Sequence, residues 1–295
     1  MFIIKADTAL LPGGWQNNVF VHINSNGKID RVTKNLQSGN PDKCVSHLLP
    51  APVNAHSHAF QRAMAGLTEH RGSKQGDSFW TWRELMFRFL DQLTPDHIEA
   101  IAAFVQMEML EAGYATNVEF HYLHHNPDGT PYDNRAEMAN RVKAAAARTG
   151  IGLTLLPVHY QYGGCDFRPL MEGQRRFYNN LDGFADLCDT IQPGLATLPA
   201  DTRFGIAPHS LRSVATDSFA ASRSLARGGP FHMHLAEQIA EVEEIKQYLG
   251  ARPVEWVLHN MELDESCCFI HCTQMLPHET RELAKSGAIA GLCPI

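Results

Sequence analysis

The run Val53-Asn54-Ala55-His56-Ser57-His58 sets two imidazoles two residues apart. On an extended strand, residues i and i+2 face the same way, so His56 and His58 project together. That makes a two-pronged arm for a transition metal, zinc above all. Taken alone, H-x-H also occurs as two unrelated polar residues in a loop. A second run, Phe231-His232-Met233-His234-Leu235-Ala236-Glu237, offers a third prong from a different strand in His234. Glu237 follows three residues later, where strand turns into helix, placed to present a carboxylate to a metal-held water. His232 shares the inward face one layer deeper and reads as support or core filling. Phe269-Ile270-His271-Cys272 ends a further strand candidate. His271 there suits proton relay or polarisation of a leaving group, against the plainer reading of a rim histidine with a satisfied hydrogen bond. Sixteen histidines in 295 residues make such clusters the first place to look for ligands.

Prongs on separate strands need a scaffold that gathers strand ends. From residue 48 onward the chain alternates strand-like and helix-like segments, with strand candidates at 48–54, 115–122, 151–159, 204–208, 230–235, 267–272 and 288–293. The clearest helix covers 94–112: Thr94 can cap it, Pro95 suits its first position and Gly113 follows its end. Ile98, Ile101, Ala102, Val105 and Met109 form its apolar stripe. Asn134 with Glu137 reads as a capping box for a helix stopped by Gly150, and a helix carrying Val242, Ile245 and Leu249 is stopped by Gly250. Strands alternating with helices imply a parallel sheet covered by helices. The expected fold is α/β, a (β/α)8 barrel whose catalytic rim lies at the carboxyl ends of the strands. Seven strands are countable, so residues 48–295 read as an incomplete barrel truncated after its seventh strand. Residues 1–47 read as a partial β-sandwich segment, with Asn24-Ser25-Asn26-Gly27 as a hairpin turn.

Composition bounds the function classes. Hydrophobic residues make up 44% and charged residues 19% of the chain, a globular balance. A net charge of −7 argues against nucleic acid or an anionic membrane as partner. No apolar run reaches the roughly 18–20 residues that cross a bilayer, and the N-terminus lacks signal-peptide features. Seven cysteines without a C-x-x-C pair fit reduced thiols and a cytoplasmic location.

In order along the chain, H-x-H on strand one, H-x-x-E on strand five and a histidine on strand six resemble the amidohydrolase superfamily. Two-metal members carry a bridging carboxylated lysine on strand four. Here that strand reads Phe204-Gly205-Ile206-Ala207-Pro208-His209, without lysine, which favours one divalent ion, zinc, on His56, His58 and His234. The superfamily's strand-eight aspartate has no counterpart before residue 295, from which a truncated chain of weakened metal affinity and low activity is expected. The runs Asn54-Ala55-His56-Ser57-His58-Ala59-Phe60-Gln61, Phe79-Trp80-Thr81-Trp82-Arg83 and His232-Met233-His234-Leu235-Ala236-Glu237-Gln238 are similar to the formimidoylglutamate deiminases. These hydrolyse N-formimidoyl-L-glutamate to N-formyl-L-glutamate and ammonia in histidine degradation. The resemblance implies Glu237 and His271 as catalytic groups, substrate contacts at Gln61, Arg83, Tyr122, His209 and Arg212, and a homodimer in the full-length form.

A substrate with two carboxylates suits the planar fork of arginine at Arg83 and Arg212, although an exposed ion pair is the default for a lone arginine. His121, His124 and His125, and the scattered His22, His47, His70, His97, His159, His259 and His278, read as structural or solvated. Cys267-Cys268 reads as strand filling. Two rival functions stay open: a related amidohydrolase deaminating an aromatic ring of the guanine or cytosine type, and a non-catalytic metal-binding remnant.

Overall fold

The computed structural model describes residues 1–36, 38–68 and 79–293, without the side chains of 79–81. His70 and the chain around it lie outside the described residues. The chain divides into two compact units, Met1–Pro52 and Val53–Ile295.

The first unit is a four-stranded sheet. β1 (Phe2–Leu11) pairs antiparallel with β2 (Gly14–Ile23), β2 antiparallel with β3 (Ile29–Thr33), and β1 parallel with β4 (Lys43–Leu48). Its turn at Asn24–Gly27 forms where the sequence places it, with Gly27 N–H donating to the Asn24 carbonyl at 3.0 Å and Gly27 at φ +74°. Ala6, Ala9, Val19 and Val21 are the buried centre of this sheet.

The second unit is a mixed α/β array of parallel strands. Its strands are β5 (Val53–Ser57), β6 (Thr116–His121), β7 (Gly152–His159), the short pair β8 (Arg203–Phe204) and β9 (Ala207–Pro208), β10 (Phe231–Leu235), β11 (Cys267–His271) and β12 (Ile289–Gly291). β5, β6 and β7 pair in chain order, β8 and β9 both pair with β7, and β10, β11 and β12 continue the series, all parallel. A bridge between Ile206 and Phe231, with His232 N–H donating to the Ile206 carbonyl at 3.0 Å, carries the array across to β10. Among the described residues no ladder joins β12 to β5.

Helices fill the crossovers: α1 (Phe79–Leu90) and α2 (Pro95–Glu111) before β6, α3 (Glu137–Thr149) before β7 and α4 (Leu181–Ile191) before β8. α5 (Ser218–Leu225) precedes β10, α6 (Ile239–Leu249) and α7 (Pro253–Asn260) precede β11, and α8 (Pro277–Lys285) precedes β12. Parallel strands covered on both faces run apolar throughout; all eight residues of β7 and all five of β10 are buried.

Three local expectations change. The strand expected at 48–54 forms instead as β5, because Pro50 and Pro52 remove two ladder donors and break the chain after β4. The strand at 204–208 splits into β8 and β9 around Gly205, where a Cβ would run into the Pro230 carbonyl and the Leu156 side chain. The capping box at Asn134 and Glu137 does not form: the Asn134 side chain accepts from Ala136 N–H at 3.0 Å, and Ala136 holds the cap position without a side-chain bond. The α2 ends agree with the sequence, with Thr94 capping, Pro95 first and Gly113 at φ +92°.

Candidate active site

His56 lies in β5, and His58 one residue beyond it, at the start of a 3-10 turn over Ala59–Met64. Their convergence is not plain strand alternation. The β5–β6 register slips between Asn54 and Ser57, so the arm is bulged. The two rings still meet edge to face with centroids 4.4 Å apart.

His234, next to last in β10, closes on both. Its Nε2 lies 3.1 Å from His56 Nε2 and 3.3 Å from His58 Nε2. The outer nitrogens fix the tautomers. His58 Nδ1–H donates to the Phe120 carbonyl at 3.0 Å, and His234 Nδ1–H donates to the His209 carbonyl at 3.1 Å. Each therefore aims an Nε2 lone pair at the other, which is repulsive unless a cation stands between them. Two nitrogens bound tetrahedrally to zinc at about 2.0–2.1 Å stand roughly 3.3 Å apart. The separations match, so these residues fit a metal ion.

Burial holds the imidazoles in the neutral, ligating form. It pushes His58 down to about 4, takes His56 far below its ordinary value with help from His58 and His271, and takes His234 well below it with help from His209 and His56.

His271 ends β11. It offers a nitrogen within 4.8 Å of ligand atoms on His56 and His234, so it stands at ligating range and not only on the rim. Its Nε2 is 3.8 Å from Glu237 Oε1. Burial lowers its pKa, and the Glu237 carboxylate works against that shift. Glu237 sits on the tight turn between β10 and α6. There the buried Glu241 carboxylate accepts the backbone N–H groups of Ala236 at 3.1 Å and Glu237 at 2.9 Å. Ala236, His271 and Cys272 all take positive φ, at +52°, +76° and +53°. Non-glycine residues in this region cost roughly 1–3 kcal/mol each and gather where a side chain must be aimed.

The same residues open into a cavity of about 230 Å³ lined also by Gln61, Trp82, Arg83, Met86, Phe87, Tyr122, Tyr160, Phe177, His209 and Arg212. Gln61 Nε2 donates to the buried Tyr122 hydroxyl at 3.1 Å, whose pKa burial raises strongly. His209 follows β9, with Nδ1 3.1 Å from Ser210 Oγ and its ring 4.8 Å from that of His234. Arg83 stacks on Phe87 at 5.2 Å. Burial, followed by the positive charge of Arg212 among other neighbours, lowers its pKa. Arg212 carries a buried Nε–H with no hydrogen-bond partner among the described residues. A buried guanidinium donor of this kind beside a cavity has the chemistry to hydrogen-bond an anion.

All ten residues singled out from the sequence line this one cavity. The sequence reading missed Tyr160 and Phe177. Tyr160 directly follows β7, so the strand-end position alone signals it; its hydroxyl accepts from Gln174 Nε2 at 2.7 Å. Phe177 comes from a 3-10 turn over Glu172–Phe177, which leaves no periodic signature. Buried Arg176 pins that turn, donating to the carbonyls of His125 at 2.8 Å, Leu93 at 3.0 Å and Leu90. His121, His124 and His125 join no ligand group among the described residues. His124 and His125 spend Nε2 on the carbonyls of Val158 at 3.0 Å and Tyr178 at 2.6 Å.

Parallel strands with helices between them, and histidines gathered at the strands' carboxyl ends beside two arginines, define an α/β protein with a metal-ready pocket. The amidohydrolase family model matches residues 47–295. The chain belongs to the amidohydrolase family. It is 42% identical over 294 residues to the formimidoylglutamate deiminase of Pseudomonas aeruginosa, covering 99% of this chain and 64% of that protein. A crystal structure of an amidohydrolase from Brucella melitensis superposes with a TM-score of 0.95 at 45% identity, over 100% of this chain and 65% of that one. An adenosine deaminase from Xanthomonas campestris, solved with bound zinc, shares the fold at a TM-score of 0.74 and 20% identity, over 99% of this chain and 62% of that one. The chain thus spans just under two thirds of the length of these relatives.

Proposed function

We propose that the protein carrying this chain is a deiminase that hydrolyses N-formimidoyl-L-glutamate to N-formyl-L-glutamate and ammonia, with one zinc ion held by His56, His58 and His234. The observation that carries this reading is the pair of facing lone pairs on His58 and His234, 3.3 Å apart and tautomerically locked, in the same cavity as the unpartnered Nε–H of Arg212. The first calls for a cation, the second for an anion. A bound zinc would supply a water whose pKa falls toward ~7 and a Lewis acid for the amidine.

The chain's own residues do the rest. Arg83 and Arg212 grip the two carboxylates and so orient the formimidoyl group toward the histidines. Gln61 and Tyr122, already bonded to each other at 3.1 Å, hold the chain between the two ends. Glu237 Oε1 carries a proton from water toward the imino nitrogen, which must leave as ammonia. His271, 3.8 Å from that carboxylate, steadies the charge that builds during the transfer. The aromatic walls exclude water from the remainder of the pocket.

The likeness to the Pseudomonas deiminase supports this reading, and the zinc of the Xanthomonas adenosine deaminase supports the choice of metal. Seven parallel strand positions in chain order, with helices in every crossover from β5 onward, support the (β/α)8 barrel. The free state of all seven cysteines is consistent with a cytoplasmic location, and a homodimer goes with the family reading. No helix among the described residues is long and apolar enough to cross a membrane.

A second reading, deamination of an aromatic ring, draws support from the flat side chains of Trp82, Phe87, Tyr122, Tyr160 and Phe177 around the cavity. Which substrate releases ammonia separates the two. Turnover of N-formimidoyl-L-glutamate with inert guanine and cytosine supports the proposal. The reverse pattern overturns it, and zinc uptake without turnover of either would identify a metal-binding remnant.

A further inference from the structure

Glu119 is a carboxylate in the middle of β6, a strand buried on both faces, and it is only 2% exposed. Burying an ionisable group costs several kcal/mol unless its partners are well placed, so the fold alone gives no reason for it. Its partners are neutral, and two of the three, Ser57 and Ala59, belong to the metal arm. Glu119 Oε1 accepts the backbone N–H of Ala59 at 2.8 Å, the Ser57 hydroxyl also bonds the carboxylate, and Asn117 Nδ2 donates to Oε2 at 3.2 Å.

The register explains why these contacts exist. Between Asn54 and Ser57 the β5 strand advances three residues while β6 advances two, from Asn117 to Glu119. Such a bulge leaves backbone groups without ladder partners. Side chains take over. Asn54 Oδ1 accepts His56 N–H at 3.3 Å, Asn54 Nδ2 donates to Asn117 Oδ1 at 3.4 Å, and Glu119 holds the residues on either side of His58.

We propose that Glu119 is a positioning residue of the metal site: through the Ser57 hydroxyl and the Ala59 amide it fixes the bulged arm, so that His56 and His58 stand at ligating separation before an ion arrives. This rests on the metal site proposed above. The role needs two acceptor oxygens. Glutamine in either orientation keeps one and turns an amide N–H₂ against another donor.

The test is zinc affinity of the 295-residue chain by chelator competition, for wild type, Glu119→Gln and Ser57→Ala, alongside thermal unfolding of the metal-free forms. The cobalt-loaded forms add a visible absorption spectrum that reports ligand geometry. Supporting contacts of this kind typically matter by about 10–100-fold in metal affinity. E119Q is expected to weaken zinc binding by that factor and to change the cobalt spectrum, while the metal-free form still unfolds in one cooperative transition. S57A, which removes one of the two links to the arm, is expected to weaken binding by a smaller factor of about 3–10. Should E119Q not fold, S57A decides by the same readout: weakened zinc binding supports the proposal, wild-type affinity overturns it. E119Q and wild type binding zinc equally, with identical cobalt spectra, would overturn it. A wild-type chain that takes up no zinc fails the metal-site reading itself, a result distinct from failure of this inference.

Discussion

Removing the guanidinium of Arg212 tests the dicarboxylate assignment most sharply. Its Nε–H is buried and finds no hydrogen-bond partner among the described residues, so that donor is available to an incoming carboxylate. A hydrogen bond to a charged group contributes about 1.5–3 kcal/mol, and truncating one side of a desolvated charged pair costs about 2–5 kcal/mol. For Arg212→Met, about 3 kcal/mol is therefore expected, which lowers kcat/KM roughly 150-fold. Because Arg212 would bind a carboxylate and through it orient the amidine, the loss should appear in both KM and kcat. The assay is ammonia release from N-formimidoyl-L-glutamate and from two analogues, each lacking one carboxylate. The variant should discriminate little between the full substrate and the analogue missing the carboxylate that Arg212 binds. Arg212→Lys should recover only part of the loss, since an ammonium cannot form the planar fork. A kcat/KM for Arg212→Met within threefold of wild type, or an unchanged penalty for removing each carboxylate, would refute the reasoning.

Acid should unfold the metal-free chain early. Burial depresses His58, His121, His159 and His232 to about 4. Below the unfolded value near 6.5 the unfolded chain gains protons that the native state does not, so stability is present above that pH and is lost as pH falls toward 4. Glu119, pushed up to about 7 by burial, runs the other way and offsets one of the four. The lowered histidines outnumber the raised carboxyls, so a urea midpoint that falls steeply between pH 6.5 and 5 is expected; a flat midpoint there would be contrary. At Gly205, alanine would force a Cβ into the Pro230 carbonyl and Leu156. A cost of about 2 kcal/mol and a Tm lower by roughly 5 °C are expected, and an unchanged Tm would show that the strand gap at β8 and β9 is slack.

Much of the site was legible because its chemistry sits at strand ends. β6, β7, β10 and β11 fall within one or two residues of their expected bounds, since apolar runs of strand length between glycine- and proline-marked turns have few other readings. His234 and Glu237 follow from the strand-to-turn transition after β10. The bulge in β5 was not legible, because register is a property of two strands and the signal for the second, Asn117-Val118-Glu119, lies sixty residues away. A carboxylate inside an otherwise apolar strand was the available clue. His271 was read as a rim group because its sequence position gives its strand but not its distance to His56, and the positive φ that swings it inward has no sequence mark. The walls from α1 and the 3-10 turn around Phe177 depend on long-range contacts such as those of Arg176, which no local periodicity encodes.

His56, His58 and His234 should together bind one cation. X-ray absorption at the zinc edge, on the chain loaded with one equivalent of zinc, tests it directly. At least three nitrogen ligands at about 2.0–2.1 Å with imidazole scattering are expected, and loss of that signal in His234→Ala. A zinc shell of sulfur or carboxylate oxygen, or an unchanged imidazole shell in His234→Ala, would contradict it.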